Sequence, residues 1–339
     1  MKKRILWILT GGTFSCVGTD RGLMPRSGDG QAEKMLSLMP DIIESYDIMP
    51  LVLMNIDSSD MTVSHHRIIA DTIDANIGRY DGIVMTHGTD TMAYTAAALS
   101  VMLQNPPIPI VLTGSQRPFF DEDSDAPKNF ADAFEVSDKA VTGGIVVVFG
   151  GRIMRGCDCV KVDTVADDAF RSATGNEGTL TNVTAAFPGN EDLPEDHGGY
   201  SYDSSLCNAD GKVVLLDMHP SFDPDIIAML YDRGIKGFVI RCYGAGGIPE
   251  KARAAFGKVI AKGAKAIAVT QCLHGGTDLG IYAVGTDAER AGIIDGGDMT
   301  AEYAVAVMMK MISDMQKQHS RKKRFMCLHM KENQLEKNV

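Results

Sequence analysis

The sequence predicts an α/β protein of two domains with parallel sheets, the N-terminal domain larger than the C-terminal one. Three observations carry this. Ile- and Val-rich runs alternate with segments of helical periodicity over most of the chain, the pattern of strand–helix–strand units. The runs are continuous rather than alternating in polarity, as expected of strands buried on both faces. The length, 339 residues, is about twice that of a usual single domain.

Taken in order, strands are expected at 4–9, 50–55, 82–86, 108–113 and 144–149, then at 212–218, 237–242 and 264–270. Thr62 is placed to cap a helix whose Ile68, Ile69, Ile73 and Ile77 recur at helical spacing. Further helical patterns cover 91–103, 126–140, 224–232, 249–262 and 300–315. Residues 187–211 break the alternation, being polar and rich in Pro and Gly. The expected organisation is an N-terminal catalytic domain over 1–190, a linker over 191–211 and a C-terminal domain over 212–317. A polar tail over 318–339 follows, carrying Arg321, Lys322, Lys323 and Arg324; such charge runs are usually solvated and frayed.

Composition removes several function classes. Apolar residues make up 45% and charged residues 23%, enough for an ordinary globular core. Thirty-three basic against 44 acidic residues leave a net charge of −11, which argues against nucleic acid as a partner because phosphate binding needs clustered cations. Met1 to Arg4 are basic, but the apolar run behind them ends at Leu9, shorter than a secretion signal needs. No run approaches the roughly 20 apolar residues of a membrane span. Seven cysteines, an odd number scattered from Cys16 to Cys327, fit reduced thiols. The reading is a cytoplasmic protein with no membrane partner.

Ligands of open α/β sheets bind at the carboxyl ends of strands. Three loops there are crowded with hydroxyls and carboxylates: Thr10-Gly11-Gly12-Thr13, Asp57-Ser58-Ser59-Asp60-Met61-Thr62 and His87-Gly88-Thr89-Asp90-Thr91. Each alone is explained by a tight turn or a helix cap. Together they exceed what capping requires, since a cap needs one side-chain oxygen and the third loop offers three in succession. A Walker A motif, a Gly-x-Gly-x-x-Gly loop after a strand and a Gly-x-Ser-x-Gly elbow are all missing, which removes nucleotide loops and the serine-hydrolase elbow. Cys157 and Cys159 lack the spacing of a zinc site, so no metal is expected. His65 and His66 are expected on a helix surface.

Thr10-Gly-Gly-Thr13 with His87-Gly-Thr-Asp-Thr91 resembles the paired signatures of the bacterial-type L-asparaginases. Asp57-Ser-Ser-Asp-Met-Thr62, Thr113-Gly-Ser-Gln116, Arg155-Gly156 ahead of Lys161, Thr270-Gln-Cys272 and Gly296-Gly-Asp-Met-Thr300 follow in the same order. The resemblance covers about residues 4–315 and leans toward the cytoplasmic, type I branch. It implies an amidohydrolase without cofactor that converts L-asparagine to L-aspartate and ammonia, with weaker action on L-glutamine. In that reading Thr13 attacks the side-chain amide and forms an acyl-enzyme, while Thr89, Asp90 and Lys161 form a second catalytic cluster. Amide N–H groups of Gly12, Gly88 and Thr89 are candidate oxyanion donors. Asp57, Ser58, Ser59, Gly88, Thr89 and Asp90 would bind the amino-acid substrate, and Arg241 with Cys272 an effector. A homotetramer, a dimer of dimers, is also implied, in which the Tyr243-Gly-Ala-Gly-Gly247 loop closes a neighbour's site. Two positions depart from the family pattern. Leu23 stands where many members carry a catalytic tyrosine, leaving either Tyr243, Tyr282 or Tyr303 as a replacement or a Thr13 activated without one, and Val160 precedes Lys161 where effector-regulated members often carry threonine. The rival readings are an ammonia-supplying component of a tRNA-dependent amidotransferase and a catalytically dead amino-acid sensor.

Overall fold

A computed structural model describes residues 2–20, 22–25, 30–183 and 199–335; the side chains of 17, 19, 23–25 and 319–335 are not described. The chain opens with β1 (Lys3–Gly11), buried from Ile5 onward. A one-turn helix over Thr13–Ser15 follows, then a hairpin of β2 (Cys16–Thr19) and β3 (Gly22–Pro25). Two short helices, α1 (Gln31–Ser37) and α2 (Pro40–Ser45), lead to β4 (Tyr46–Ile56). Then come α3 (Val63–Asp74), β5 (Gly82–Thr86), α4 (Met92–Met102), β6 (Leu103–Gln104), β7 (Pro109–Thr113), α5 (Ala126–Lys139), β8 (Gly144–Phe149) and β9 (Arg152–Arg155). The main sheet runs β4–β1–β5–β7–β8–β9. Its first five strands are parallel and β9 turns back antiparallel on β8. A separate hairpin joins β10 (Cys159–Lys161) to β11 (Phe170–Ser172).

Of the expected linker over 191–211, only 199–211 falls among the described residues. Here β12 (Ser201–Tyr202) pairs antiparallel with β6. The Tyr200 hydroxyl donates to the Asp74 carboxylate at 2.6 Å, and the Tyr202 hydroxyl to Asp71, so this segment is strapped to α3. The C-terminal part contains β13 (Val213–Asp217), α6 (Asp225–Asp232), β14 (Gly237–Cys242), α7 (Glu250–Ala261), β15 (Lys265–Thr270), α8 (Ala283–Arg290), β16 (Ile294–Asp295) and α9 (Ala301–Leu335). Its four strands are parallel in chain order.

Each expected strand is present because each is an apolar run long enough to be sandwiched between helices. β4 starts four residues earlier than expected, at Tyr46, since as an edge strand it needs only one buried side. The short hairpins escaped the sequence reading because strands of two to four residues show no period. Thr62 caps α3 as expected, taking the His65 amide while His65 Nδ1 accepts the Thr62 amide. The last helix exceeds the 300–315 pattern. Its backbone stays helical through the basic segment to Leu335, because the stretch holds neither Gly nor Pro to stop it.

Trp7, Phe14, Phe119, Phe130 and Phe134 fill one face of the main sheet, with Trp7 Nε1 donating to Thr86 Oγ1 at 3.2 Å. The other face shares its core with the C-terminal sheet: Leu6, Met85, Leu99 and Met102 are contiguous with Val239, Ile267, Met308 and Ile312. Helix α4 is buried on nearly every side between them, which explains its lack of a polar stripe. The two sheets therefore meet through core rather than through a wet surface. Among the described residues, no helix is long and apolar enough to cross a membrane.

Candidate active site

The site is built where β1, β4 and β5 end. β1 cannot continue past Leu9 in register, and Gly11 (φ 101°) and Gly12 (φ 75°) turn the chain into the helical turn of Thr13. A β-carbon on Gly11 would lie 2.5 Å from the Ile56 nitrogen, so this position admits only glycine. The Gly12 amide donates to Ile56 O at 3.0 Å. It is thus committed to the fold, and Gly12 is withdrawn as an oxyanion donor; Gly88 and Thr89 stay candidates. The Cys16 thiol donates to Gly12 O at 3.3 Å, and burial with the nearby Asp57 carboxylate raises this thiol to about 11, so it serves as a neutral donor. From the other side Phe14 is fully buried, with its ring 5.4 Å from Phe119 and its carbonyl accepting the Phe119 amide. Thr13 itself is half-buried on this anchored turn.

The β5 loop crosses the Thr13 turn at van der Waals contact. A β-carbon on Gly12 would sit 2.2 Å from Gly88 Cα, and one on Gly88 would sit 2.6 Å from Ser58 Oγ. Three segments from three strands therefore meet at two glycines. Ser58 is buried, whereas Asp57 and Ser59 are exposed; the Asp57 carboxylate accepts the Ser59 amide at 2.9 Å and its hydroxyl at 2.8 Å. Thr91 does not cap α4 with its side chain. Its hydroxyl reaches across to Ser58 O at 2.8 Å and ties the β4 and β5 loops together.

Thr89 is buried and Asp90 exposed. Lys161, from β10, donates to Thr89 Oγ1 at 2.8 Å and to Asp90 Oδ1 at 2.7 Å. The Asp90 carboxylate is 64% exposed, so the pair contributes only about 0–1 kcal/mol to stability, and its value lies in aiming the ammonium. Because the ammonium has donors only, the Thr89 oxygen accepts from it and its own proton points elsewhere. A positive charge held there stabilises an alkoxide or an oxyanion forming beside it.

Beneath the loop lies a hydrogen-bonded chain that sequence reasoning missed. His87 Nδ1 is 2.7 Å from Gly88 O, His87 Nε2 is 2.9 Å from Thr95 Oγ1, and Thr95 Oγ1 is 3.1 Å from His66 Nε2. Burial holds His87 near pH 4 and His66 near pH 3, so both rings are neutral at pH 7. The directions then follow: Nδ1–H of His87 donates to the carbonyl, its Nε2 accepts from Thr95, and His66 Nε2–H donates to Thr95. His66 accordingly does not lie on the helix surface as expected; it faces α4. His87, inside its signature, reads from the sequence as a positioned or core histidine, and it is one; its link through Thr95 to His66 had no local signal.

Arg241 and Cys272 line one cavity of about 470 Å³ between the two sheets, together with Lys161, Tyr94 and Glu302. Burial raises the Glu302 carboxyl, opposed in part by the Arg241 charge. Arg241 is also paired with Asp217 at 3.2 Å. Of the tyrosines considered for the loop role, Tyr243 and Tyr282 are exposed on the C-terminal part, and Tyr303 packs beside Cys157 in the shared core. The Leu23 side chain lies outside what is described. Cys16, Cys157, Cys159, Cys207, Cys242 and Cys272 are free thiols, and among the described residues no three His, Cys, Asp or Glu side chains are grouped to hold a metal.

Hydroxyls, an ammonium and a carboxylate gathered at strand ends of a two-sheet α/β fold suit amide hydrolysis, and the relatives of this chain make it an amidohydrolase. Family models for the asparaginase N-terminal domain and the glutaminase/asparaginase C-terminal domain match residues 4–190 and 212–326, and the chain belongs to the asparaginase family. It is 34% identical over 317 residues to L-asparaginase of Thermococcus kodakarensis, covering 90% of this chain and 92% of that one. The solved structure of the thermostable L-asparaginase from that organism superposes with a TM-score of 0.80 at 33% identity, covering 90% of this chain and 92% of that one. L-asparaginase 1 of Escherichia coli is 31% identical over 323 residues, 92% of each chain. A glutamyl-tRNA(Gln) amidotransferase component from Pyrococcus furiosus is 34% identical over 292 residues, which are 82% of this chain and 65% of that protein.

Proposed function

We propose that this enzyme hydrolyses L-asparagine to L-aspartate and ammonia in the cytoplasm. The observation that carries the reading is the contact of Gly12 with Gly88, which brings the Thr13 turn against the loop whose Thr89 and Asp90 hold Lys161. In this mechanism the Thr13 oxygen attacks the side-chain amide carbon, its proton passes to the departing nitrogen, and ammonia leaves behind a Thr13 ester. Water then cleaves the ester to release aspartate, with Thr89 and Lys161 directing it. Donors at Gly88 and Thr89 receive the oxyanion. Asp57, Ser58, Ser59 and Asp90 hold the ammonium and carboxylate of the substrate. Glutamine is a slower substrate, since one methylene costs about 1–3 kcal/mol of discrimination. The assembly is a dimer of dimers in which the Tyr243 to Gly247 turn closes a neighbouring site.

The deciding assay is ammonia release from L-asparagine and from L-glutamine by wild type and Thr13→Ala. Activity on asparagine that disappears in the variant is expected; activity that survives would shift the nucleophile to Thr89. A wild type that binds asparagine without releasing ammonia would make it a sensor. The similarity to the amidotransferase component supports a second reading, supply of ammonia to a tRNA-bound acyl group, for which turnover would rise on adding charged tRNA and the partner protein. The cavity holding Arg241 and Cys272 supports an effector role for asparagine there. Sigmoidal saturation that becomes hyperbolic in Arg241→Ala is expected, and a hyperbolic wild type would overturn it.

A further inference from the structure

We propose that Asp158 is a positioning residue for this reaction, anchoring the β10–β11 hairpin so that Lys161 meets Thr89 and Asp90. The proposal rests on the catalytic reading of Lys161. Asp158 lies in the turn between β9 and β10, at 3% exposure. A carboxylate buried this deeply needs partners. Its Oδ2 accepts from Arg155 Nε at 3.1 Å and Nη2 at 2.8 Å, from Thr174 Oγ1 at 2.8 Å and from Ser172 Oγ at 3.4 Å. Its main chain makes the same connection, the nitrogen donating to Arg155 O at 3.2 Å and the oxygen accepting from Ala173 N at 2.8 Å. One residue thus joins the end of β9, the start of β10 and the end of β11.

The anchor matters because the hairpin is short. Only three residue pairs join β10 to β11, and Lys161 is the last residue of β10. A two-stranded hairpin is marginal by itself, so its direction is set by what holds its ends. Two residues separate Asp158 from Lys161, roughly 10 Å of strand between their α-carbons. The C-terminal part closes on the same spot: His274 Nδ1 is 3.1 Å from Ala173 O, and Thr300 Oγ1 reaches Cys157 O at 3.5 Å.

Stability does not explain this arrangement well. Asp158 Oδ1 is buried with no hydrogen-bond partner among the described residues. A buried ion pair with one orphaned oxygen contributes little or costs free energy compared with apolar packing. What the carboxylate supplies is a fixed geometry for its four donors, and through them a fixed place for Lys161.

The experiment is a double-mutant cycle read by kcat and KM for ammonia release from L-asparagine, using Asp158→Ala and Asp158→Asn with and without Lys161→Ala. Asp158→Ala is expected to lower kcat about 10- to 100-fold, the scale of an ångström-level misplacement, with KM within about threefold. Asp158→Asn, which keeps shape and an acceptor oxygen, recovers most of that loss. In the Lys161→Ala background Asp158→Ala changes kcat less than about twofold, because the residue it positions is gone. Full kcat in Asp158→Ala, or a loss that multiplies in the Lys161→Ala background, overturns the proposal alone. Full activity of Lys161→Ala overturns it together with the reading beneath it. If Asp158→Ala fails to fold by thermal melting, Thr174→Val enters the same cycle with the same required loss of effect in Lys161→Ala.

Discussion

Lys161 Nζ stands 2.8 Å from Thr89 Oγ1 and 2.7 Å from Asp90 Oδ1, so one ammonium serves a buried hydroxyl and an exposed carboxylate at once. Asp90 is thereby the outer restraint on the lysine and Thr89 its inner target. Lys161→Met keeps the stem and removes the charge. It is expected to lower kcat by about 10²–10⁴-fold while KM moves little, the usual range for a lost proton-handling group. Steady-state ammonia release checks this, and an unaltered kcat would remove Lys161 from the chemistry.

The contact between Gly12 and Gly88 gives a second expectation. A methyl group at Gly88 would face Ser58 Oγ at 2.6 Å and Gly12 Cα at 3.1 Å, so the loops must part to admit it. Gly88→Ala should abolish activity and destabilise the fold by about 1–3 kcal/mol, the range for overpacking. Gly18, with open space around its position, is the matched control, and Gly18→Ala should leave the melting temperature nearly unchanged. Thermal melting and asparagine turnover of the two variants separate the cases.

Acid should weaken the protein through His66 and His87. Both have folded pKa values below the ordinary 6.5, at about 3 and about 4, because burial disfavours the charged rings. In the unfolded chain they take up protons near pH 6.5, whereas in the folded chain they do not until about pH 4 or below. Stability from this pair is therefore complete above pH 6.5 and is lost as pH falls toward 4. The loss is on the order of 3 kcal/mol for His87 alone. Denaturant melts between pH 7 and 4 should show that slope, and His66→Gln with His87→Gln should flatten it. An equal slope in that double variant would assign the acid sensitivity elsewhere.

Some of this was open to direct reading. The eight long strands are apolar runs, most of them buried on both faces while the edge strands β4 and β13 are only partly buried, and such runs announce themselves whatever surrounds them. The loops at 10–13, 57–62 and 87–91 could be placed at strand ends, and their hydroxyls and carboxylates marked as the site, because loop chemistry is local. The role of Thr62 as a cap was equally local, one side chain and an amide three residues on.

The rest needed distances between residues far apart in the chain. That Gly12 lies on Gly88, that its amide is committed to Ile56, and that Thr91 ties Ser58 instead of capping α4 are consequences of how β1, β4 and β5 are ordered in the sheet. His66 turns inward because α3 packs beside Thr95 of α4, which no period along α3 encodes. Lys161 reaches Thr89 from a three-residue strand too short to have a pattern, held by a buried carboxylate whose partners come from β9, β11 and the turn after β11. Residue types and local order thus determined the strands, the caps and the list of reactive groups. Only packing, through the sheet order and the core shared by the two sheets, decided which of those groups touch.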